Sequence, residues 1–309
     1  MIHPTPSGTR DVLPGEMREL RAITQAMLGV FDEAGYGEVY TPALEHEETL
    51  RTGDAMAAKP SYRLFDETGQ VLVLRSDMTI PIARVVATRY PTAPTPLRFY
   101  YLQHAYRAVR QHRGQPREIL QAGIELVGAP GPEGTAEAVS VLCAALDAAG
   151  LGSYRVGLGD ASLFSRALER HGVPEDARPL ILNELATRDL VGLERELTRV
   201  GAADLVDIAR TRGDITVLDG VPEAETLKAL YAGLEEHVRE RVIFDLGLVR
   251  TLGYYTGAVF EVYDAAFGSP LGGGGRYDDL LGRFGRELPA CGWALDVERV
   301  HAARLQEGR

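Results

Sequence analysis

Strand-rich segments on either side of a helix-only stretch predict an α+β fold. It is built on a mainly antiparallel sheet flanked by helices and carries a small helical insert. Three observations in the 309-residue sequence carry that reading. Residues 62–75 read as a hairpin, and 97–107 and 117–127 as two further strands. Residues 161–239 show one helical pattern after another, punctuated by Gly172, Pro174, Gly213, Gly220 and Pro222. Beyond them the strand pattern resumes. Residues 1–160 and 240–309 are therefore expected to form one domain, interrupted by a helical insertion domain at 161–239.

Residues 16–34 read as an amphipathic helix, with Met17, Leu20, Ile23, Met27, Val30 and Phe31 at helical spacing and Gly35 ending it. Tyr36–Pro42 reads as a strand closed by proline. In the hairpin, Tyr62–Phe65 and Val71–Leu74 flank the turn Asp66-Glu67-Thr68-Gly69. A helix over 79–90 tolerates Pro81 in its first turn. The loop at 108–116 is basic. A helix over 132–149 and a strand over 154–158 complete the first half. After the insert, strands are expected at 241–247 and 253–263, then a glycine run, then a strand and helix near 290–304.

Hydrophobic residues make up 45% and charged residues 25%, ordinary proportions for a chain with a sizeable core. No apolar stretch is long enough to cross a membrane. The N-terminus lacks the charged-then-apolar layout of a signal peptide. Cys143 and Cys291 lie far apart and no CxxC pair exists. The expectation is a cytoplasmic protein with two buried free thiols and no metal site. A net charge of −11 argues against a surface built to coat nucleic acid. Lysine occurs only at Lys59 and Lys228, so nearly every cation is an arginine, a residue suited to bidentate contact with carboxylate or phosphate.

Four segments carry chemistry. In Leu120–Leu126, alternation puts Gln121, Gly123 and Glu125 on one strand face. Gly123 then leaves a gap between an amide and a carboxylate; the plainer reading is a polar solvent face. In Arg75-Ser76-Asp77-Met78-Thr79, Asp77 or Thr79 could cap the following helix. The functional reading is an acid placed to meet an ammonium group. Paired Tyr254 and Tyr255 between Gly253 and Gly257 mark either close ligand approach or aromatic packing. The run Gly272–Gly275, before Arg276-Tyr277-Asp278, is either a backbone lying against a ligand or a loose loop.

Together, and in this order, these segments resemble the class II histidyl-tRNA synthetase core over residues 8–300. Gly37–Pro42 resembles its dimer-forming motif 1, Arg107–Glu125 its motif 2, and Gly292–Arg299 its motif 3. Residues 250–257 resemble the histidine-specific signature RGLDYYTG, and Gly273–Asp278 match GGGRYD. The resemblance implies a histidine pocket made by Asp77, Thr79, Gln121, Glu125, Tyr255 and Arg250. Asp77 stands for the usual glutamate at the α-ammonium, and Glu125 and Tyr255 face the imidazole. It also implies phosphate-binding roles for Arg107 and Arg299, here vestigial. The adenine-holding glutamate is Val109, a motif 2 arginine is Gln115, the signature aspartate is Gly253, and a motif 3 glycine is Asp296.

The sequence runs ten residues past Arg299, so no anticodon-binding domain is expected. A histidine pocket, a damaged nucleotide site and no anticodon domain resemble the regulatory subunits of ATP phosphoribosyltransferase. That resemblance implies a non-catalytic role in the first step of histidine biosynthesis and its feedback by histidine, with no cofactor. The implied partners are L-histidine, a second copy in a homodimer core, and a short catalytic transferase in a hetero-octamer; neither tRNA nor membrane is expected. The alternatives are a truncated synthetase paralogue that activates an amino acid and a stand-alone histidine sensor.

Overall fold

The computed structural model describes residues 5–54, 61–108, 115–249 and 253–308. Helix α1 (Pro14–Glu33) begins on a proline whose fixed φ suits a first helical turn. It buries Leu20, Ile23, Met27 and Phe31 along one face and stops at Gly35, where φ is +79°. Strand β1 is confined to Gly37–Glu38. The chain leaves the sheet before Pro42 because the buried Arg75 guanidinium takes the carbonyls of Thr41 and Pro42, at 2.5 and 3.1 Å.

Strands β2 (Leu44–His46), β3 (Arg63–Phe65) and β4 (Val71–Leu74) form a small antiparallel sheet in the order β2-β4-β3. Helices α2 (Glu47–Gly53) and α3 (Thr79–Arg89) belong to the same region. Then come β5 (Leu97–Tyr106), β6 (Glu118–Val127), α4 (Glu133–Ala148) and β7 (Tyr154–Asp160). The next segment holds α5 (Leu163–Arg170), α6 (Arg178–Ala186), α7 (Leu190–Arg199), α8 (Leu205–Arg210), β8 (Arg212–Gly213), α9 (Glu225–Ala232) and α10 (Glu236–Arg239). The chain ends with β9 (Val242–Asp245), β10 (Ala258–Asp264), β11 (Phe267–Arg276), β12 (Ala290–Asp296) and α11 (Val297–Gln306).

Among the described residues the large sheet runs β1-β5-β6-β12-β11-β10-β7-β9-β8. The β1–β5 and β7–β9 pairs are parallel and the remaining pairs antiparallel, as expected from the sequence. Alternation along β6 sorts its residues between two cores. Ala122, Ile124 and Leu126 join the core under α1, α4 and α11, which also holds Trp293. The opposite face carries a second core with Val73, Ile80, Ile82, Val86, Phe99 and Tyr101. No helix among the described residues is long and apolar enough to cross a membrane.

Two expectations are corrected. The strand expected to start at 253 joins the sheet only at Ala258, so Tyr254 and Tyr255 sit on the turn before it. The glycine run is not a loose loop; it is the middle of β11, hydrogen-bonded on both sides. The stretch 161–239 also packs in two parts. Residues from Phe164 to Ala209 share a core of their own, whereas Leu218, Leu227, Leu230, Leu234 and Val238 join the main core under α4.

Candidate functional site

A cleft of about 220 Å³ opens on the face of β6, β12 and β11 that lies away from α1 and α4. Among its lining residues are Asp77, Thr79, Gln121 and Tyr255 of the expected histidine set, with Arg107 and Arg299 of the expected phosphate set. These side chains arrive from separate elements. Asp77 and Thr79 come from the β4–α3 junction, Gln121 from β6, Tyr255 from the turn before β10, and Arg299 from the first turn of α11. Arg250 and Val109 lie outside the described residues.

Asp77 Oδ1 accepts a hydrogen bond from the Ile80 amide at 3.0 Å, so the residue ties the first turn of α3 while it lines the cleft. Thr79 Oγ1 donates to Glu125 Oε1 at 2.7 Å, and the Tyr277 hydroxyl donates to Glu125 Oε2. Glu125 is 1% exposed and stands behind the cleft rather than in its wall. What separates the two is Gly292 on β12. A Cβ there would lie 1.9 Å from Glu125 Oε2, so only glycine lets the carboxyl fit. Burial pushes the Glu125 carboxyl up to about 8, the nearby Asp77 adding to the rise and the Tyr277 and Thr79 hydroxyls opposing it. Glu125 is therefore mostly protonated at neutral pH in the free protein.

The gap at Gly123 is filled from within the fold. The Tyr101 hydroxyl stands where a Cβ would point and donates to the Trp293 carbonyl at 3.4 Å. The ring of Tyr254 packs on Tyr255 and Tyr277 at 4.9 and 5.7 Å. Burial holds the phenols of Tyr101, Tyr254 and Tyr277 well above their usual range, so all three stay neutral. In the glycine run, Gly272 and Gly273 line the cleft. Gly274 instead makes room for β12: a Cβ there would meet the Gly292 carbonyl at 2.0 Å and Trp293 Cβ at 2.6 Å.

Asp296 caps α11, its Oδ1 accepting from the amides of Glu298 and Arg299 at 3.1 and 3.2 Å. Its other oxygen pairs with Arg299 Nε at 3.1 Å, and Arg299 also donates to the Pro270 carbonyl at 2.7 Å. Ile119, Asp296 and Arg299 line both this cleft and a larger neighbouring one of about 870 Å³, bordered by Ser7–Arg10 and Gln115–Glu118. Sequence reasoning missed Tyr101, Tyr277 and Glu261 as parts of this neighbourhood. Tyr277 lay in a motif already singled out; Glu261 was findable as a polar residue alternating with Val262 in a strand pattern. Cys143 and Cys291 are free and buried. Among the described residues no group of three or more His, Cys, Asp or Glu could hold a metal ion.

The family model described as histidyl-tRNA synthetase matches residues 8–300. An ATP phosphoribosyltransferase regulatory subunit of Symbiobacterium thermophilum is 41% identical over 320 residues, covering 98% of this chain and 80% of the relative. Its counterpart of Rubrobacter xylanophilus is 42% identical over 316 residues, covering 96% and 75%. A crystal structure from Bacillus halodurans, described as an ATP phosphoribosyltransferase regulatory subunit/histidyl-tRNA synthetase, superposes with a TM-score of 0.89. It is 32% identical and is matched over 98% of this chain and 83% of its own.

Proposed function

The chain belongs to the histidyl-tRNA synthetase family and, within it, to the ATP phosphoribosyltransferase regulatory subunits, and from that premise we propose that it is the non-catalytic, histidine-responsive partner of a catalytic transferase. It acts in histidine biosynthesis. The observation that carries the non-catalytic part is the Asp296–Arg299 pair. An incoming triphosphate needs the guanidinium, yet Asp296 already neutralises it and is itself held by two helix amides. The anion would have to displace a fixed carboxylate of its own sign, and a charge-assisted hydrogen bond withheld from it is worth about 1.5–3 kcal/mol.

The amino-acid part is supported by the meeting of Asp77, Thr79, Gln121 and Tyr255 in one cleft. In this reading Asp77 receives the α-ammonium, Gln121 and Tyr255 orient the ligand, and Arg250 completes the set. Glu125 senses the imidazole through Thr79, its hydrogen-bond partner, rather than by lining the wall. A protonated imidazole bound nearby lowers the Glu125 pKa and expels its proton.

The test mixes this chain with the short transferase of the same source across a histidine titration. A complex, a raised rate and a histidine response are expected; coupling of this kind is typically about 5- to 150-fold. An unchanged rate and no complex would sink the proposal. One observation favours a second reading, an amino-acid-activating paralogue: Arg107 and Arg299 both still line the cleft. Robust histidine-dependent pyrophosphate exchange by the chain alone would establish that reading instead.

A further inference from the structure

Five helices of the described chain end alike. After α1, α4, α5, α7 and α11 the chain turns through Gly35, Gly150, Gly172, Gly201 and Gly308, with φ between +67° and +88°. Such turns favour glycine, which has no Cβ to crowd the neighbouring carbonyl. Helix α6 differs. Its left-handed position is Arg188, at φ +57°, the one non-glycine residue at positive φ among the described residues. A long side chain is kept where the backbone disfavours any side chain.

That side chain leaves the 164–209 unit and reaches the main sheet. The Arg188 guanidinium approaches Glu261 Oε2 at 3.5 Å. Tyr263 donates to the same Glu261 oxygen. Glu261 and Tyr263 are two apart on β10 and so share a face. Other polar ties of the unit lie on α5, where Arg166 meets Asp160 at 3.1 Å and Arg170 meets Glu223 at 2.5 Å. Glu261 also lines the cleft that holds Asp77 and Tyr255. One carboxylate thus faces both the place of a ligand and the α6–α7 turn.

We propose that Arg188, Glu261 and Tyr263 form a latch through which a ligand in the cleft sets the position of the α6–α7 turn. A ligand N–H that donates to Glu261 draws its carboxylate from Arg188, and the turn comes free. This rests on the reading of the cleft as the amino-acid site and adds a regulatory output to it. The latch suits a switch because it is weak: the ion pair is long, and the Arg188 side chain is 51% exposed. A ligand need contribute only a modest difference in affinity between the latched and unlatched states to shift it.

Amide hydrogen exchange across residues 186–192 of the full chain tests this, with calorimetry on the same samples. Saturating L-histidine is expected to speed exchange in that turn by about fivefold or more, the lower end of ordinary coupling. Arg188→Asn keeps a residue type that tolerates the left-handed turn but does not reach Glu261. It should exchange fast with or without histidine, and Glu261→Gln should exchange fast without it. Binding heat with unchanged exchange in the unmodified chain overturns the latch and leaves the histidine reading standing. Unchanged exchange in ligand-free Arg188→Asn also overturns it. No binding heat at all removes the amino-acid reading and the latch together.

Discussion

Glu125 accepts hydrogen bonds from two hydroxyls, Thr79 and Tyr277, and neither brings a compensating charge. Its carboxyl is pushed up to about 8 by burial. Between about pH 4.5 and about 8 the folded state therefore holds a proton that the unfolded chain has released. Stability falls as pH rises across that window, by up to about 1.4 kcal/mol per pH unit. Glu125→Gln removes the titration and leaves at most a mismatched hydrogen bond, worth about 1 kcal/mol. Denaturant unfolding from pH 5 to 8.5 should give a flatter profile for the variant, more stable than the parent by about 1–3 kcal/mol near pH 8. Parallel profiles for the two proteins would show that Glu125 is ionised or solvated in the free protein.

Strand β11 illustrates the same crowding in an element. Its glycines let three strands and Trp293 close on one another, so the run is needed for packing as much as for the cleft. Gly274→Ala drives a methyl into the Gly292 carbonyl and should cost about 3 kcal/mol, the upper part of the range for overpacked cores. Gly268→Ala on the same strand meets nothing within 4 Å and should stay within about 0.5 kcal/mol. Equal denaturation midpoints for the two variants would refute the packing argument. Helix α1, the hairpin, α3 and the β5–β6 pair were legible in the sequence because periodicity and turn chemistry are local. The early end of β1 was not, because it depends on Arg75, 34 residues from Thr41. The site was legible as a set of residue types. Its depth was not: Glu125 sits behind the wall because of Gly292, and its partner Tyr277 is 152 residues away. Asp296 carried a readable local signal, an aspartate just before a helix, but its hold on Arg299 becomes visible only once the helix turns.

At the scale of the whole molecule, the small β2-β4-β3 sheet buries Glu45 and Val73 on one face and leaves leucines exposed on the other. Glu45 and Val73 point inward, Glu45 pairing with Arg84 of α3. By register, Leu44, Leu64, Leu72 and Leu74 share the opposite face, with Leu44 and Leu64 44% and 43% exposed. A few residues upstream, Tyr40 is 80% exposed and β1 forms an edge of the large sheet. Exposed leucines beside an open strand edge call for a partner. The segment Gly37–Pro42 resembles the pairing motif of class II cores, so the expected partner is a second copy. A two-fold interface uses each residue twice, and burying a leucine side chain is worth about 1.5–3 kcal/mol. Leu64→Glu should therefore weaken the dimer at least about tenfold, since about 1.4 kcal/mol is one decade. The residue is on the surface, so the far-ultraviolet circular dichroism should not change. Sedimentation velocity of the isolated chain at micromolar concentration should show a dimer, shifting towards monomer in the variant. A monomer in the unmodified chain under those conditions would leave the leucine face to the catalytic transferase instead, and mixing the two chains would then restore its cover.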